Sequence, residues 1–376
     1  MKKTISILLT LTLVLAMLIP ATTWGATAKY NKSDVAAINN IIANNGLKAT
    51  KDKPATWKFA RWSGGRVISL DLPDKSLKGT LDLSKLTILQ SLDCSSNDLT
   101  AVNVTKNTQL QYLRCNDNWL KTLNVTKNIN LQTLMCHKND LTSINVTKNL
   151  KLQTLWCDDN RIKTLNITKN TRLEDLRCTN NQLKALDVTK NTRLEIFHCG
   201  FNELTKLDVR KCVRLAYFSF SHTQITQINL TKNTQLEYLV FYNGKLKALD
   251  ISKNKKLKYL DAYDNQLTVL NLTGFTKFNY LWFSWNPLKT LVCPDGSKLT
   301  VASAVGGTHV VHNDSQVSFN KKEVTLYAQA DSGYSFDHWE FDKSVKILNG
   351  NVNTQQIKIV IPKDGVTATP VFVQNS

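Results

Sequence analysis

Six of the eight cysteines recur every 21 residues, and they are the side chains of this sequence with the clearest capacity for chemistry. They are Cys94, Cys115, Cys136, Cys157, Cys178 and Cys199. Thiols can form disulfides, but a disulfide needs two converging Cβ atoms, and equivalent side chains on stacked strands point in parallel. No C-x-x-C pair or His–Cys cluster suggests a metal site. We therefore predict a ladder of free, buried thiols that fill a core as small hydrophobic groups.

The other candidates for catalysis do not form a recognisable active site. His309 and His312 enclose two valines and lack the spacing of a helical zinc motif. Asp158, Asp159 and Asp175 could gather carboxylates, but the corresponding positions elsewhere in the chain hold unrelated residues. The sequence shows neither a G-x-S-x-G elbow nor a phosphate-binding loop. We expect a protein that is not an enzyme and that uses no cofactor and no metal.

The cysteines belong to a 21-residue repeat that organises most of the chain. The first position of each unit is apolar, at Leu89, Leu110, Leu131, Leu152, Leu173, Leu194, Leu215, Leu236, Leu257 and Phe278. The pattern L-x-x-L-x-C-x-x-N-x-L at a constant period is the signature of leucine-rich repeats. We predict a right-handed leucine-rich-repeat solenoid over residues 67–296. Positions three to seven of each unit should form a short parallel strand on its concave face.

An asparagine column at position nine of the repeat is predicted to satisfy backbone groups of the turn after each strand. Thr223 and Gly244 interrupt this column. The same two units carry Phe220 and Phe241 in place of cysteine, and Cys212 replaces an asparagine just before them. We predict local repacking around these larger side chains.

The segments on both sides of the repeats have a different character. Residues 1–28 have the basic start, apolar run and A-x-A cleavage site of a secretory signal peptide. Residues 29–66 are predicted to form an N-terminal cap, in which Ser33 caps a helix that Gly46 ends. Residues 297–376 lose the period and alternate like a small all-β domain. We expect an extracellular protein, secreted or associated with the cell surface, without a membrane span after signal removal.

The repeats resemble bacterial internalin-type leucine-rich repeats, in particular the cysteine-containing 21-residue subclass, through their L-x-x-L-x-C-x-x-N-x-L-x-x-L-x-V units. The C-terminal segment is similar to the divergent β-repeat domain of many bacterial surface proteins. That similarity rests on Thr325-Leu326-Tyr327-Ala328, on Gly333-Tyr334-Ser335-Phe336-Asp337-His338-Trp339 and on Pro362-Lys363-Asp364-Gly365-Val366-Thr367-Ala368. The resemblance implies an exported binding or adhesion protein whose β-domain serves as a spacer.

Position three, which should point outward on the concave face, is tyrosine in four consecutive units. Exposed clusters of aromatic residues mark binding surfaces, and Tyr, Trp and Arg are common interface anchors. We predict a partner-binding surface formed by Tyr217, Tyr238, Tyr242, Tyr259, Tyr263, Tyr280, Trp282 and Trp285. Met135, Trp156, Arg177 and His198 form a second predicted patch. The alternative interpretation is that these tyrosines merely suit a strand and stack on one another.

Three kinds of partner remain open. A protein on a host or bacterial surface is the first, and a carbohydrate is the second, because sugar rings stack on Tyr and Trp. The third is an anionic cell-wall polymer, which a lysine row could attract, although the row could also simply keep the surface soluble. The row comprises Lys106, Lys127, Lys148, Lys169, Lys190, Lys211, Lys232 and Lys253 and contributes to a formal net charge of +19. That charge could suit nucleic acid, but the predicted export argues against it. We expect a monomer.

Overall fold

The computed structural model describes residues 30–275, 278–313 and 322–376, so the predicted signal peptide lies outside the described residues. Within them, no helix combines the length and apolar character needed to cross a membrane. The described chain begins with helix α1 (Lys32–Asn44) and a 3-10 turn (Pro54–Thr56).

The strands before the last repeats are β1 (Ala60–Ser63), β2 (Arg66–Asp71), β3 (Lys78–Asp82), β4 (Ser91–Asp93), β5 (Asp98–Asn103), β6 (Tyr112–Arg114), β7 (Thr133–Met135), β8 (Thr154–Trp156), β9 (Asp175–Arg177), β10 (Ile196–His198), β11 (Tyr217–Ser219), β12 (Tyr238–Val240) and β13 (Tyr259–Asp261). They are followed by β14 (Val269–Asn271), β15 (Tyr280–Trp282), β16 (Thr290–Val292), β17 (Lys298–Val301), β18 (Gly307–His312), β19 (Glu323–Ala330), β20 (Tyr334–Phe341), β21 (Lys346–Asn349), β22 (Gln356–Val360) and β23 (Val366–Gln374).

Helix α1 packs against the first repeat and caps the solenoid. Its N-cap is Asn31, whose Oδ1 accepts hydrogen bonds from the backbone N–H groups of Ser33 (3.0 Å) and Asp34 (3.2 Å). The prediction of Ser33 as the N-cap was wrong, because an asparagine two residues earlier makes these capping bonds. The fully buried carboxylate of Asp34 accepts bonds from Arg66 Nε (2.9 Å) and Val67 N (2.8 Å). These bonds fix the helix to β2.

Twelve strands form the concave sheet, in the order β1-β2-β4-β6-β7-β8-β9-β10-β11-β12-β13-β15. Apart from the antiparallel β1–β2 pair, neighbouring strands are parallel and pair equivalent repeat positions. Each repeat strand covers positions three to five, so the prediction of positions three to seven was too long. The chain turns at position eight, where residues such as Asp117 (φ 58°) adopt a left-handed conformation that a strand cannot contain.

The core consists of columns of equivalent side chains. In the unit that begins at Leu110, Leu113 and Cys115 are fully buried, whereas Tyr112 and Arg114 are half-buried on the concave side. All eight cysteines are free and buried, which confirms the predicted ladder. Burying each large apolar side chain stabilises the fold by roughly 1.5–3 kcal/mol. Because that burial requires a neighbour on both sides, the repeats depend on one another for stability.

The predicted asparagine column at position nine binds successive turns together. Asn118 accepts a hydrogen bond at Oδ1 from Leu99 N (3.0 Å). Its Nδ2 donates to the carbonyls of Cys94 (3.0 Å) and Cys115 (3.2 Å). The side chain therefore satisfies backbone groups of its own unit and of the preceding one.

A second asparagine column lies in the Thr-Lys-Asn segments on the far side of each unit. Asn128 is fully buried, and its Nδ2 donates to the carbonyls of Val104 (2.9 Å) and Asn107 (2.8 Å). The same arrangement recurs in neighbouring units, for example at Asn149. The turns at both ends of the concave strands are thus linked from unit to unit.

The two units in which Thr223 and Gly244 replace the asparagine keep their strands in the concave sheet, but their core side chains differ from those of the other units. Phe220 and Phe241 occupy the cysteine positions and stack with their ring centroids 5.2 Å apart. Thr223 Oγ1 donates to the carbonyl of Phe220 at 2.9 Å, where other units use the asparagine amide. Strands β10, β11 and β12 remain paired in register. The predicted repacking is therefore confined to the interior and does not disturb the concave surface.

The C-terminal β-domain is joined to the solenoid through a shared sheet. Strand β17 pairs antiparallel with β16, which belongs to the last repeats, and parallel with β23. The resulting sheet has the order β14-β16-β17-β23-β20, and a second sheet has the order β18-β19-β22-β21. Asn313 also bonds to the last turn, accepting from Phe283 N (2.8 Å) and donating to Leu281 O (2.6 Å). The domain thereby covers the end of the solenoid core.

Candidate functional site

A stack of tyrosine rings runs along the C-terminal half of the concave sheet. Parallel strands lie about 4.8 Å apart, so paired residues at position three are direct neighbours. The ring centroids of Tyr217 and Tyr238 are 5.4 Å apart, those of Tyr238 and Tyr259 are 5.7 Å apart, and those of Tyr259 and Tyr280 are 4.2 Å apart. His198 extends the stack by packing against Tyr217 at 4.7 Å. These five predicted residues form one continuous row of half-buried rings.

Positions five, seven and eight add further aromatic rings beside this stack. Tyr263 and Trp282 contact each other with centroids 4.4 Å apart, and Trp282 meets Tyr280 edge-on at 6.5 Å. Trp285 is 48% exposed and packs edge-on against His312 of the C-terminal domain at 5.0 Å. The aromatic surface therefore extends towards the junction between the solenoid and the β-domain.

The second predicted patch lies next to the stack, near the middle of the sheet. The Arg177 guanidinium lies over the Trp156 ring at 4.0 Å from its centroid, which is a cation–π contact. The same guanidinium is 3.1 Å from the carboxylate of Asp175. Strands β9 and β10 pair Arg177 with His198, so the patch continues into the tyrosine stack.

The two histidines of this region are uncharged at neutral pH. Burial and the nearby charge of Arg177 lower the pKa of His198 to about 4. Burial, followed by the charge of Arg114, lowers the pKa of His137 to about 4. Neutral imidazoles stack on neighbouring rings without the cost of a buried charge. They therefore extend the aromatic surface instead of making it basic.

Two partly enclosed carboxylates lie near these rings. Burial raises the pKa of Asp261 to about 6, although its carboxylate accepts a hydrogen bond from Tyr263 N at 3.2 Å. Burial also raises the pKa of Asp158 to about 6, opposed by a bond from Thr179 N at 2.9 Å. Each group is mainly ionised at neutral pH and carries a charge in a water-poor setting.

Position eight contributes aromatic residues that the column of tyrosines does not reveal. Phe201 and His222 stack at 4.0 Å, and His222 meets the predicted residue Tyr242 edge-on at 5.4 Å. Position eight has a φ of 50–62° in each unit from Ser96 to Trp285. Asparagine and aspartate tolerate this left-handed conformation, whereas a bulky ring is unusual there. Comparing residue types along this column would have identified Phe201 as an exception, like Trp285, whereas histidine is tolerated there.

Across residues 30–275, 278–313 and 322–376, no group of His, Cys, Asp or Glu side chains is arranged to hold a metal ion. The surface instead offers aromatic area, phenolic hydroxyls and the carboxylate of Asp261 on a sheet fixed by backbone hydrogen bonds. This combination suits recognition by contact and hydrogen bonding.

Comparison with known proteins establishes the fold. Residues 297–376 match the sequence profile of the divergent InlB B-repeat domain. The functional domain of InlJ from Listeria monocytogenes, which includes a cysteine ladder, is a similar solved structure. Its TM-score is 0.50 at 21% sequence identity, and the match covers 82% of this chain and 91% of that chain.

Two further structures share the solenoid. The leucine-rich-repeat protein LIC12759 of Leptospira interrogans has a TM-score of 0.52 at 24% identity, over 57% of this chain and 59% of that chain. The PEPR1–AtPEP1 structure has a TM-score of 0.57 at 18% identity, over 71% of this chain and 46% of that chain. No curated protein sequence matches the chain significantly. The predicted leucine-rich-repeat architecture, with a cysteine ladder and a divergent B-repeat domain, is confirmed.

Proposed function

We propose that this internalin-like leucine-rich-repeat protein is an exported recognition protein that binds a protein partner through its concave aromatic face. That face is defined here by the side chains of His198, Tyr217, Tyr238, Tyr259, Tyr263, Tyr280 and Trp282. The proposal rests above all on the unbroken row of half-buried rings across five neighbouring strands. Tyrosine and tryptophan are enriched among the residues that contribute most to protein–protein affinity.

The rigidity of the concave aromatic face supports this proposal. The rings of Tyr217, Tyr238, Tyr259 and Tyr280 restrict one another through ring contacts, and their backbone is held in a parallel sheet. Side chains that are already ordered lose little conformational entropy when a partner binds. In the PEPR1–AtPEP1 structure, a solenoid of the same fold is paired with AtPEP1.

Carbohydrate binding is the second candidate, and the ring geometry disfavours it. The planes of Tyr259 and Tyr280 are 4° apart and their centroids are 4.2 Å apart, so each ring covers one face of the other. Tyr238 lies on the other side of Tyr259 at 5.7 Å. Sugar rings stack on open aromatic faces, but an interior ring of this column presents mainly its edge and its hydroxyl. Such edges suit hydrogen bonds and side-chain packing from a protein.

The lysine row is a candidate for attachment to an anionic cell envelope, separate from recognition. All eight lysines of the row are exposed, and they recur at the same place in successive units. Attraction between exposed charges is screened by salt. Release from the cell at moderate salt, with partner binding retained, would assign attachment to this row. Retention of the protein on cells at high salt would exclude it.

The proposed function can be tested by comparing the wild type with a Tyr238→Ala/Tyr259→Ala double variant and a Tyr112→Ala control. Tyr112 also occupies position three, but its strand neighbours are Ser91 and Thr133, so the control removes the same side chain outside the stack. Each protein is applied to an array of host and bacterial surface proteins and to a glycan array. Circular dichroism verifies that all three proteins are folded.

We expect binding to a protein that weakens at least about tenfold in the double variant and persists in the Tyr112→Ala control. Binding that is equal in the wild type and the double variant would refute the assignment of the face. Binding to glycans alone would replace the protein partner with a carbohydrate.

A further inference from the structure

Asp261 is a carboxylate set among the rings of the concave aromatic face. In the sheet it lies between Val240 and Trp282, the residues paired with it on the neighbouring strands. Tyr259 precedes it by two residues on the same strand, so both side chains point to the same side of the sheet. Tyr263, just after the strand, packs on Trp282 with ring centroids 4.4 Å apart. Asp261 is 7% exposed. The carboxylate therefore lies largely buried between an apolar and an aromatic neighbour.

This carboxylate has no basic partner among the residues that the structure describes. Elsewhere on the concave sheet, carboxylates do have such partners: Asp93 lies 3.5 Å from Arg114, and Asp175 lies 3.1 Å from Arg177. Asp261 accepts a hydrogen bond from the backbone N–H of Tyr263. That bond satisfies only part of the capacity of a carboxylate, which can accept about four.

The isolation of Asp261 leaves a solvation cost that a ligand could recover. Burial is the main reason why its pKa is raised to about 6, so the group is charged at neutral pH despite its surroundings. A buried charge without a partner is unfavourable, and a hydrogen-bonded ion of opposite sign offsets that penalty. The group that would offset this cost is cationic.

The protein already contains an intramolecular example of this arrangement elsewhere on the same sheet. The guanidinium of Arg177 lies over the ring of Trp156, 4.0 Å from its centroid, while it pairs with the carboxylate of Asp175. Asp261 likewise has aromatic neighbours in Tyr259 and Trp282, but no arginine among the described residues pairs with it. A planar guanidinium bonds a carboxylate through two donors in a fixed geometry, which an ammonium group cannot do as well.

We propose that the carboxylate of Asp261, set among the rings of Tyr259, Tyr263, Tyr280 and Trp282, pairs with an arginine side chain of the protein partner. This inference rests on the proposed function and specifies the chemistry that the partner must present. The overall charge of the chain does not explain such a preference, because a formal charge of +19 repels basic ligands. Selection for arginine must therefore come from this local carboxylate.

The test uses short random peptides displayed on phage and selected on the whole protein, so the partner itself need not be identified beforehand. Selections are run on the wild type, on Asp261→Asn and on Asp264→Asn. The control is closely matched, because Asp264 is an exposed carboxylate in the same unit and its positive φ (50°) also suits asparagine. The best peptide is then synthesised with arginine or with citrulline, its uncharged analogue.

We expect arginine to be enriched on the wild type and on Asp264→Asn but not on Asp261→Asn. The citrulline peptide should bind the wild type roughly tenfold more weakly than the arginine peptide. The Asp261→Asn variant should bind both peptides with the same reduced affinity, because a pair that interacts directly shows non-additive losses.

Arginine enrichment among the peptides selected on Asp261→Asn would overturn the inference. Selected peptides that lack arginine, but whose binding requires the tyrosines of the concave aromatic face, would also overturn it. The proposed function fails separately if the selected peptides bind Tyr259→Ala as tightly as the wild type. Failure to select any peptide on the wild type would count against both.

Discussion

At the scale of single residues, burial determines which groups react and which bind. Burial raises the pKa of Cys136 to about 12, because a thiolate would lose its hydration inside the solenoid. The other ladder cysteines are equally buried. A buried, protonated thiol is a poor nucleophile and a poor metal ligand. The cysteines, which have the greatest chemical potential in the sequence, therefore act as packing groups.

The thiols should be unreactive in the folded protein. At about pH 8, none of the eight cysteines should react quickly with a water-soluble disulfide reagent, and all eight should react in denaturant. The absorbance of the thiol that the reagent releases counts the cysteines that react in the native protein and in the denatured protein. Rapid labelling of the native protein, or fewer than eight thiols after unfolding in the absence of reductant, would contradict a ladder of free cysteines.

Asp261→Asn should stabilise the fold at neutral and alkaline pH. The folded-state pKa of about 6 lies above the usual value of 3.8, so the folded protein binds this proton more tightly than the unfolded chain. The contribution of Asp261 to stability is present below that usual value and is lost as the pH rises through about 6. We expect the free energy of unfolding of the variant to exceed that of the wild type by about 1 kcal/mol near pH 8. This is less than the pKa difference alone would give, because Asp261 keeps partial contact with water.

Urea unfolding near pH 4 and near pH 8 measures this difference. Near pH 4 the variant and the wild type should have similar midpoints, because Asp261 is protonated in the folded protein. Asp264→Asn makes the same charge change at an exposed site and should shift neither midpoint appreciably. A gain that is equal at both pH values would show that the charge of Asp261 is not its source.

At the scale of one repeat, the turns hold the unit together as much as the strands do. A repeat strand is only three residues long, as in Tyr112–Arg114. The buried amides of Asn118 and Asn128 join the two ends of that unit to the preceding unit. Position eight then requires a left-handed residue, such as Asp117. These turn constraints keep successive strands in register, and that register aligns the tyrosines.

The second asparagine column leads to a pair of opposite predictions. Asn128→Ala removes two buried hydrogen bonds and should destabilise the protein by about 2 kcal/mol. Cys212 occupies the same column, where its Sγ lies 3.6 Å from Val188 O. Cys212→Asn should restore amide bonds of the Asn128 type and stabilise the fold by about 1 kcal/mol.

Denaturant midpoints of these two variants, with the exposed Lys127→Ala as the control, test the role of the column. Destabilisation by Cys212→Asn would show that the neighbouring units are built around the thiol instead. Little effect of Asn128→Ala would show that water replaces the amide.

The repeat spacing predicts much of the fold, because side chains that recur at one period must occupy one environment. The ladder around Cys115 and the pairing of Tyr238 with Tyr259 follow directly from it. Strand length and the N-cap at Asn31 do not follow, since turn geometry and the choice between nearby polar residues decide them. The isolation of Asp261 depends on all of its neighbours in three dimensions. The residues at position five of successive repeats, which include Val240, Asp261 and Trp282, do not predict this isolation.

At the scale of the whole molecule, the C-terminal domain extends and closes the solenoid. Strand β17 links β16 of the last repeats to β23 of the C-terminal domain within one sheet, and Asn313 bonds to the last turn through Phe283 N and Leu281 O. His309 adds a bond from its ring to Leu288 O at 3.0 Å. No local pattern predicts these contacts, because they join residues far apart in the chain. They support the strand that carries Trp282.

Asn313→Ala should loosen this junction and leave the earlier repeats unchanged. We expect amide exchange to accelerate around residues 280–293, because local opening would cost roughly 2 kcal/mol less without the buried side chain. Exchange around residues 110–200 should be unaffected, and the exposed Asn353→Ala serves as the control. Uniform acceleration along the chain would show that the solenoid and the β-domain unfold as one unit.

The most direct test of the central claim is oxidative footprinting of aromatic side chains, with and without the bound protein partner. We expect binding to protect Tyr238, Tyr259, Tyr280 and Trp282 from oxidation. Trp119, which is 60% exposed and lies outside the concave aromatic face, should be oxidised equally in both samples. Protection of Trp119 with unchanged oxidation of the four face residues would contradict the claim and place recognition elsewhere on the solenoid.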